Sequence, residues 1–195
     1  LKAIAGADKF NHWMYQSFAE YCSGNILEIG SGIGNISEQV LADNKSLTIS
    51  DIRQSYLDVL DDRFKGHKGL KESILVDIVD PEFDNKHKAR FDSYDTIFAM
   101  NIVEHVKDDQ LAIINLKKLL RKGGKLIILV PAYQSLYNRF DKELEHYRRY
   151  SLNQLNTIML GADLNLLKSH AFNFMGIFGW WFSGAIIKKK TVPAG

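Results

Sequence analysis

The residues most able to do chemistry in this 195-residue chain lie in Asn-Ile-Leu-Glu-Ile-Gly-Ser-Gly-Ile-Gly-Asn, positions 25–35, where an acid and three glycines follow an apolar run. Gly30, Gly32 and Gly34 let the backbone turn sharply and approach a ligand without a Cβ in the way. A helical pattern begins near Ile36, so a helix N-terminus stands behind them and offers unpaired N–H groups to a carboxylate or phosphate. Strand, glycine loop and helix together describe a nucleotide-cofactor site. Asp51, about 20 residues beyond the glycines at the end of the next apolar run, can accept both hydroxyls of a ribose. Its competing role is to cap the helix that carries Tyr56, Leu57 and Leu60. A dinucleotide fingerprint has its third glycine three residues after its second, whereas Gly32 and Gly34 are two apart and Glu28 sits inside the strand end. That spacing favours S-adenosylmethionine over a pyrophosphate. An NAD-dependent oxidoreductase, which Asp51 alone would suit, is the competing enzyme class.

A second set of reactive side chains comes later. His105 closes Asn101-Ile102-Val103-Glu104-His105, directly after an apolar strand, and His146 lies in the polar, aromatic stretch from Ala132 to Tyr150. Imidazole titrates near neutrality, so both are candidate general bases, with a structural hydrogen-bonding role as the alternative. Tyr133, Tyr137, Arg148 and Arg149 could bind an oxygen-rich or phosphate-bearing acceptor, the arginine forks reading an anion bidentately. The alternative for the arginines is internal pairing with Asp141 or Glu145. A metal-assisted route needs a ligand cluster; Asp141, Glu145 and His146 supply the atoms but at no recognised spacing.

The elements that position these groups read as an α/β chain. Phe10, Trp13, Met14, Phe18 and Tyr21 predict a helix over 8–22, packed on the core or closing as a lid in which Trp13 or Tyr15 touches the ligand. Strands are expected at Ile26–Ile29, Leu47–Ser50, Ser73–Val76, Tyr94–Met100 and Leu126–Val130, the last all apolar and hence central. A surface loop is expected over 81–90, and Gly123-Gly124 are expected to end the helix of Ala112, Leu116, Leu119 and Leu120. Ser151 with Gln154 makes a capping box for a helix through Met159, and Leu164–Phe172 is expected as a sixth strand. Alternation of strand and helix predicts a doubly wound, mostly parallel Rossmann-like sheet in a single domain spanning 1–195. No strand pattern follows Lys190, so six strands are expected.

The pattern Glu-x-Gly-x-Gly-x-Gly resembles the first motif of class I S-adenosylmethionine-dependent methyltransferases. Pro-Ala and Leu-Tyr around 131–137, Phe140-Asp141 and His-Tyr-Arg-Arg-Tyr-Ser at 146–151 further resemble a bacterial subfamily of that class, often associated with family 2 glycosyltransferases; that subfamily usually has Gly where this chain has Glu145. The resemblance implies that Asp77 accepts from the adenine amino group with Ile78 against the ring, that Glu28, Ile52 and Asn101 join the cofactor site, and that an N-terminal helix covers it. It also implies a small-molecule or surface-sugar acceptor, with oxygen favoured over nitrogen. The segment after the fourth strand lacks the Asn/Asp-Pro-Pro-aromatic signature of enzymes that methylate DNA bases or protein glutamine.

Composition narrows the partners. A formal charge of +2 with dispersed basic residues gives no nucleic-acid footprint. The single cysteine, Cys22, excludes an internal disulfide and reads as a packed core thiol. With no secretory signal and no apolar run near the roughly 18 residues that span a bilayer, a cytoplasmic location is expected. The stretch Phe174–Ile187, with Trp180-Trp181 and then Lys188–Lys190, reads as a helix that covers the sheet, makes a subunit contact, or lies in a membrane interface. A non-catalytic partner of a glycosyltransferase is the non-enzyme alternative.

Overall fold

The computed structural model describes residues 8–171. Five strands, β1 (Asn25–Ile29), β2 (Ser46–Asp51), β3 (Leu70–Leu75), β4 (Tyr94–Met100) and β5 (Leu120–Leu129), pair in parallel in the order β3-β2-β1-β4-β5. The helices are α1 (Asp8–Gln16), α2 (Asn35–Ala42), α3 (Gln54–Arg63), α4 (Phe83–His87), α5 (Asp109–Leu119), α6 (Arg139–Glu143) and α7 (Leu152–Gly161). Strand side chains alternate between two cores, as the period-2 geometry of a strand requires. Ile26, Leu47, Ile49 and Phe98 pack with Met14, Val40, Leu57 and Leu60 of α1, α2 and α3. Leu27, Ile29, Ile97 and Ala99 pack with Phe83, Ala112, Ile113 and Leu116 of α4 and α5, and the partly buried Leu155 and Met159 of α7 join them. Helices on both faces explain why β1, β2 and β4 are buried along nearly their whole length.

Several expectations are corrected. The N-terminal helix ends at Gln16 and continues only as a 3-10 turn, Ala19–Tyr21. Its inward face is Met14, Tyr15 and Phe18, with the Tyr15 hydroxyl donating to Asp43 at 2.6 Å, whereas Phe10 and Trp13 are 39% and 45% exposed. Segment 81–90 is not a loop: Phe83 and His87 are buried, and this pair anchors α4 and the turn Lys88–Arg90 against the sheet. Gly123-Gly124 do not end the helix, which stops at Leu119; they lie in a bulge of β5 where pairing jumps from Tyr94–Leu120 to Thr96–Lys125. Among the described residues β5 is an edge strand rather than a central one.

The sheet therefore has five strands among the described residues, not six. Residues 164–171 form no strand. Leu166-Leu167 interrupts the alternation, no β-branched residue stiffens the segment, and Leu167 stands 77% exposed. The predicted apolar tail at 174–190 and the segment after Lys190, where no strand is expected, lie outside the described residues. Cys22 is buried, as a core thiol should be. No helix among the described residues is long and apolar enough to cross a membrane.

Candidate cofactor and acceptor site

The strand order reverses between β1 and β4, so the loops after these two strands leave on opposite faces and open a crevice at their carboxyl ends. The glycine loop follows β1. Gly30 has φ 71°, and a Cβ there would overlap the Ile102 side chain, so the loop after β4 packs directly on the Gly30 backbone. At Gly32, also at positive φ, an added Cβ would meet nothing within 4 Å, which leaves this face of the loop open to a ligand. Gly34 is the N-cap of α2 and has no side chain to satisfy the first-turn N–H groups.

Asp51 ends β2 and turns back to this loop. Its Oδ2 accepts from the Gly32 N–H at 3.0 Å and its Oδ1 from the Arg53 N–H at 2.9 Å, which leaves a further lone pair on each oxygen. The N-cap of α3 is Arg53, which makes no side-chain cap bond, so Asp51 braces the glycine loop and is not the helix cap. Ile52 beside it is 58% exposed. Beneath the loop, Glu28 is buried and accepts from the Ser37 hydroxyl at 2.5 Å. Burial pushes its carboxyl up to about 7, against the opposing hydrogen bonds of Ser37 and Ser31. Asp77 lies half-buried past β3 and accepts from the Val79 N–H at 2.9 Å. Ile78 is only 4% exposed and belongs to the core, its carbonyl accepting from Asn115 Nδ2 at 2.9 Å. An open glycine face, a carboxylate with spare lone pairs and an exposed aliphatic side chain fit the ribose and adenine of a nucleoside cofactor.

Beside this crevice a second group of side chains is assembled from distant parts of the chain. Asn101 is exposed at φ 55°, its N–H donating to Leu129 O at 2.8 Å, and it precedes Ile102, the N-cap of the 3-10 turn Val103–His105. This turn sends Glu104 inward, 0% exposed, and His105 outward. Segment 132–150 straps across the turn: Tyr147 N–H donates to Glu104 O at 2.8 Å, and Ala132 bridges Tyr150. Within the strap, buried Asp141 accepts from Asn138 N–H at 2.9 Å, Arg149 Nε at 2.8 Å and His146 Nδ1 at 3.0 Å. Burial alone would raise the Asp141 carboxyl, but these donors hold it below the ordinary carboxylate range. The His105 and His146 rings meet edge-on, centroids 4.6 Å apart at 84°. Burial, then the neighbouring His146, lowers the pKa of His105.

The two histidines named separately from sequence are thus brought together. Arg149 follows the internal-pairing alternative and holds Asp141, whereas Arg148 pairs with an acid that the alternative did not name, donating to Asp109 at 2.7 Å and to Lys107 O at 2.7 Å. Tyr137 donates to His146 O at 2.7 Å, and Tyr133 is 40% exposed at φ 64°. Sequence reasoning gave no role to Glu104, although an acid beside a histidine just after a strand was the available signal. Neither carboxylate oxygen of Glu104 has a hydrogen-bond partner among the described residues, and burial pushes its carboxyl up to about 8. A broad groove of about 1210 Å³ runs elsewhere, along β5 from Phe18 and Tyr21 to residues 164–170, and contains none of these groups.

Comparison with known proteins agrees with this geometry. Residues 27–126 match the family model described as a methyltransferase domain. Over 127 residues the chain is 32% identical to a probable polyketide synthase of Dictyostelium discoideum, covering 57% of this chain and 5% of that protein. It therefore spans about a twentieth of the curated relatives' length. The fold resembles the CMeT domain of the citrinin polyketide synthase, with TM-score 0.62, 19% identity, and 80% and 45% of the two chains covered. It also resembles a phosphoethanolamine N-methyltransferase of Haemonchus contortus solved with phosphomonomethylethanolamine and S-adenosylhomocysteine, with TM-score 0.63, 22% identity, and 80% and 37% covered. With half of its length inside the family model and the glycine loop of that fold at its switch point, the chain belongs to the class I S-adenosylmethionine-dependent methyltransferases.

Proposed function

We propose that this methyltransferase delivers its methyl group to an oxygen of a small-molecule or glycan acceptor that enters beside the 132–150 strap. The observation that carries the reading is the edge-on pair His105–His146 at the carboxyl end of β4, one ring exposed and the other clamped by Asp141. When bound, the cofactor supplies an electrophilic methyl on a sulfonium that is already a good leaving group. The protein's tasks are to aim the acceptor oxygen along the methyl–sulfur axis, exclude water and draw off the hydroxyl proton.

On the cofactor side, Asp51 takes the ribose hydroxyls, Ile52 lies against the adenine, Asp77 accepts from its amino group and Glu28 supports the loop from beneath through Ser37. Asn101 closes this half. On the acceptor side, a lowered pKa keeps His105 neutral at pH 7 and able to receive a hydroxyl. The bond to Asp141 occupies His146 Nδ1 and leaves Nε2 as the free acceptor. Tyr133 and Tyr137 shape the entrance, and Arg148 and Arg149 position the strap through Asp109 and Asp141.

Incubation with methyl-labelled cofactor and a panel of hydroxylated acceptors, with products read by NMR, tests this. An O–CH3 product supports it; cofactor binding with no turnover on any acceptor would point to a non-catalytic partner instead. A carbon acceptor made acidic by neighbouring carbonyls is the second reading. It is favoured by the 32% identity to a polyketide synthase, and a C–CH3 product would establish it.

A further inference from the structure

We infer that Glu104, His105 and His146 form a binding site for a divalent transition-metal cation on the acceptor side of the crevice. One ligand atom from each, a carboxylate oxygen and two imidazole nitrogens, lies within 4.8 Å of the others. Around a tetrahedral ion with bonds of about 2.1 Å, ligand atoms stand about 3.4 Å apart. The closure required is on the order of an ångström.

Three further observations point to a cation. Glu104 is 0% exposed, yet neither of its carboxylate oxygens has a hydrogen-bond partner among the described residues. A buried carboxylate without a donor is costly, and a cation would satisfy it. Next, His146 already has the outer support typical of a metal-bound imidazole: Asp141 engages Nδ1 at 3.0 Å, which leaves Nε2 to coordinate, and Arg149 and the Asn138 N–H fix Asp141 in turn. Finally, the His105 and His146 rings stand with centroids 4.6 Å apart, close enough for both to reach one ion. Two imidazoles and one carboxylate suit zinc, iron or cobalt better than magnesium, which prefers oxygen ligands and water. Three protein ligands also leave coordination positions open to a substrate oxygen.

The role of such an ion rests on the methyl-transfer reading, and it changes what the histidine pair does to the acceptor. The imidazoles serve as ligands, and the acceptor hydroxyl is acidified by coordination rather than by giving its proton to His105. The O–H bond breaks and its proton passes to solvent. The oxygen's electron pair forms the new O–CH3 bond as the S–CH3 pair returns to sulfur, which leaves S-adenosylhomocysteine.

The test uses the full chain after treatment with chelator. Titration with Co2+, followed by its visible absorption, and competition with Zn2+ should show one equivalent bound. His105→Ala, at an exposed position, and Glu104→Gln should each weaken binding at least tenfold, and Asp141→Asn should weaken it about 10- to 100-fold. Calorimetry with S-adenosylhomocysteine on the same samples reports whether the cofactor half is folded. Intact S-adenosylhomocysteine binding with no stoichiometric Co2+ or Zn2+ uptake overturns the metal site and leaves the methyl-transfer reading standing. Uptake of one equivalent without methyl transfer to any hydroxylated acceptor keeps the site and sinks that reading. If a metal-loaded enzyme with an identified acceptor keeps its full rate in excess chelator, the ion has no part in activating the hydroxyl.

Discussion

The two halves of the crevice are built in opposite ways. The cofactor half comes from consecutive residues and backbone: a strand, three glycines, a helix N-terminus and one carboxylate that braces the loop through main-chain N–H groups. The proposed acceptor half comes from side chains about 40 positions apart, Glu104 and His105 on one segment and Asp141, His146 and Arg149 on another. The edge-on imidazoles and the Tyr147 N–H to Glu104 O bond join them, a buried ionic network stiffens the second segment, and positive-φ turns at Asn101, Tyr133 and Glu145 shape their backbones. A cradle made of backbone serves any substrate of the family. An acceptor site hung on side-chain networks can be changed without disturbing it.

Breaking the acceptor half should have the largest effect. Asp141→Ala leaves the Arg149 guanidinium buried without its carboxylate and releases His146, so urea unfolding should show a loss of about 3–5 kcal/mol. A loss below about 1 kcal/mol would mean that the network is not a structural unit.

Two buried carboxylates, Glu28 in one half and Asp141 in the other, should respond to pH with opposite sign, while Glu104, raised like Glu28, adds to the Glu28 direction. Burial raises Glu28 from 4.5 to about 7, so between those values the folded state holds a proton that the unfolded state has lost. Its contribution therefore falls as pH rises through that window and is level above it. Glu28→Gln should gain about 3 kcal/mol over wild type between pH 4.5 and 8, measured by unfolding at each pH. A difference that does not change with pH would contradict the buried assignment. Asp141 is held low, so its stabilisation is complete above its ordinary range and is lost as pH falls through its folded value.

On the cofactor side, Asp51→Ala should weaken S-adenosylhomocysteine binding by about 2 kcal/mol, roughly 30-fold, with little change in the histidine network. Equal damage to both halves would dissolve the distinction between them. The smallest effect is expected at Glu145, which holds φ 61° where glycine would be unstrained. Glu145→Gly should stabilise the strap by about 1 kcal/mol, visible as a raised melting temperature, and a lowered one would assign Glu145 a contact role.

What sequence revealed follows the same division. Ile26–Ile29, Gly30–Gly34 and Asp51 were legible because backbone geometry dictates residue type there, and the Ser151–Gln154 box appears as expected. Glu104 was not, because its place beside His105 after a strand does not tell which way its side chain turns, and the His105–His146 contact depends on how a 19-residue strap folds back. Glu145 shows the reverse: the subfamily's glycine is replaced, yet the left-handed turn persists because Tyr137, Asp141 and Arg149 fix the residues around it. The edge position of β5 was hidden for a further reason. An all-apolar strand reads as central whatever covers it, and residues 164–171 supply no pairing strand.

The most direct test is a crystal structure with S-adenosylhomocysteine. The account predicts the nucleoside across Gly30–Gly34, both ribose hydroxyls on Asp51 and the sulfur facing the Glu104–His105 turn. A ligand bound in the β5 groove instead, or a ribose held without Asp51, would contradict it.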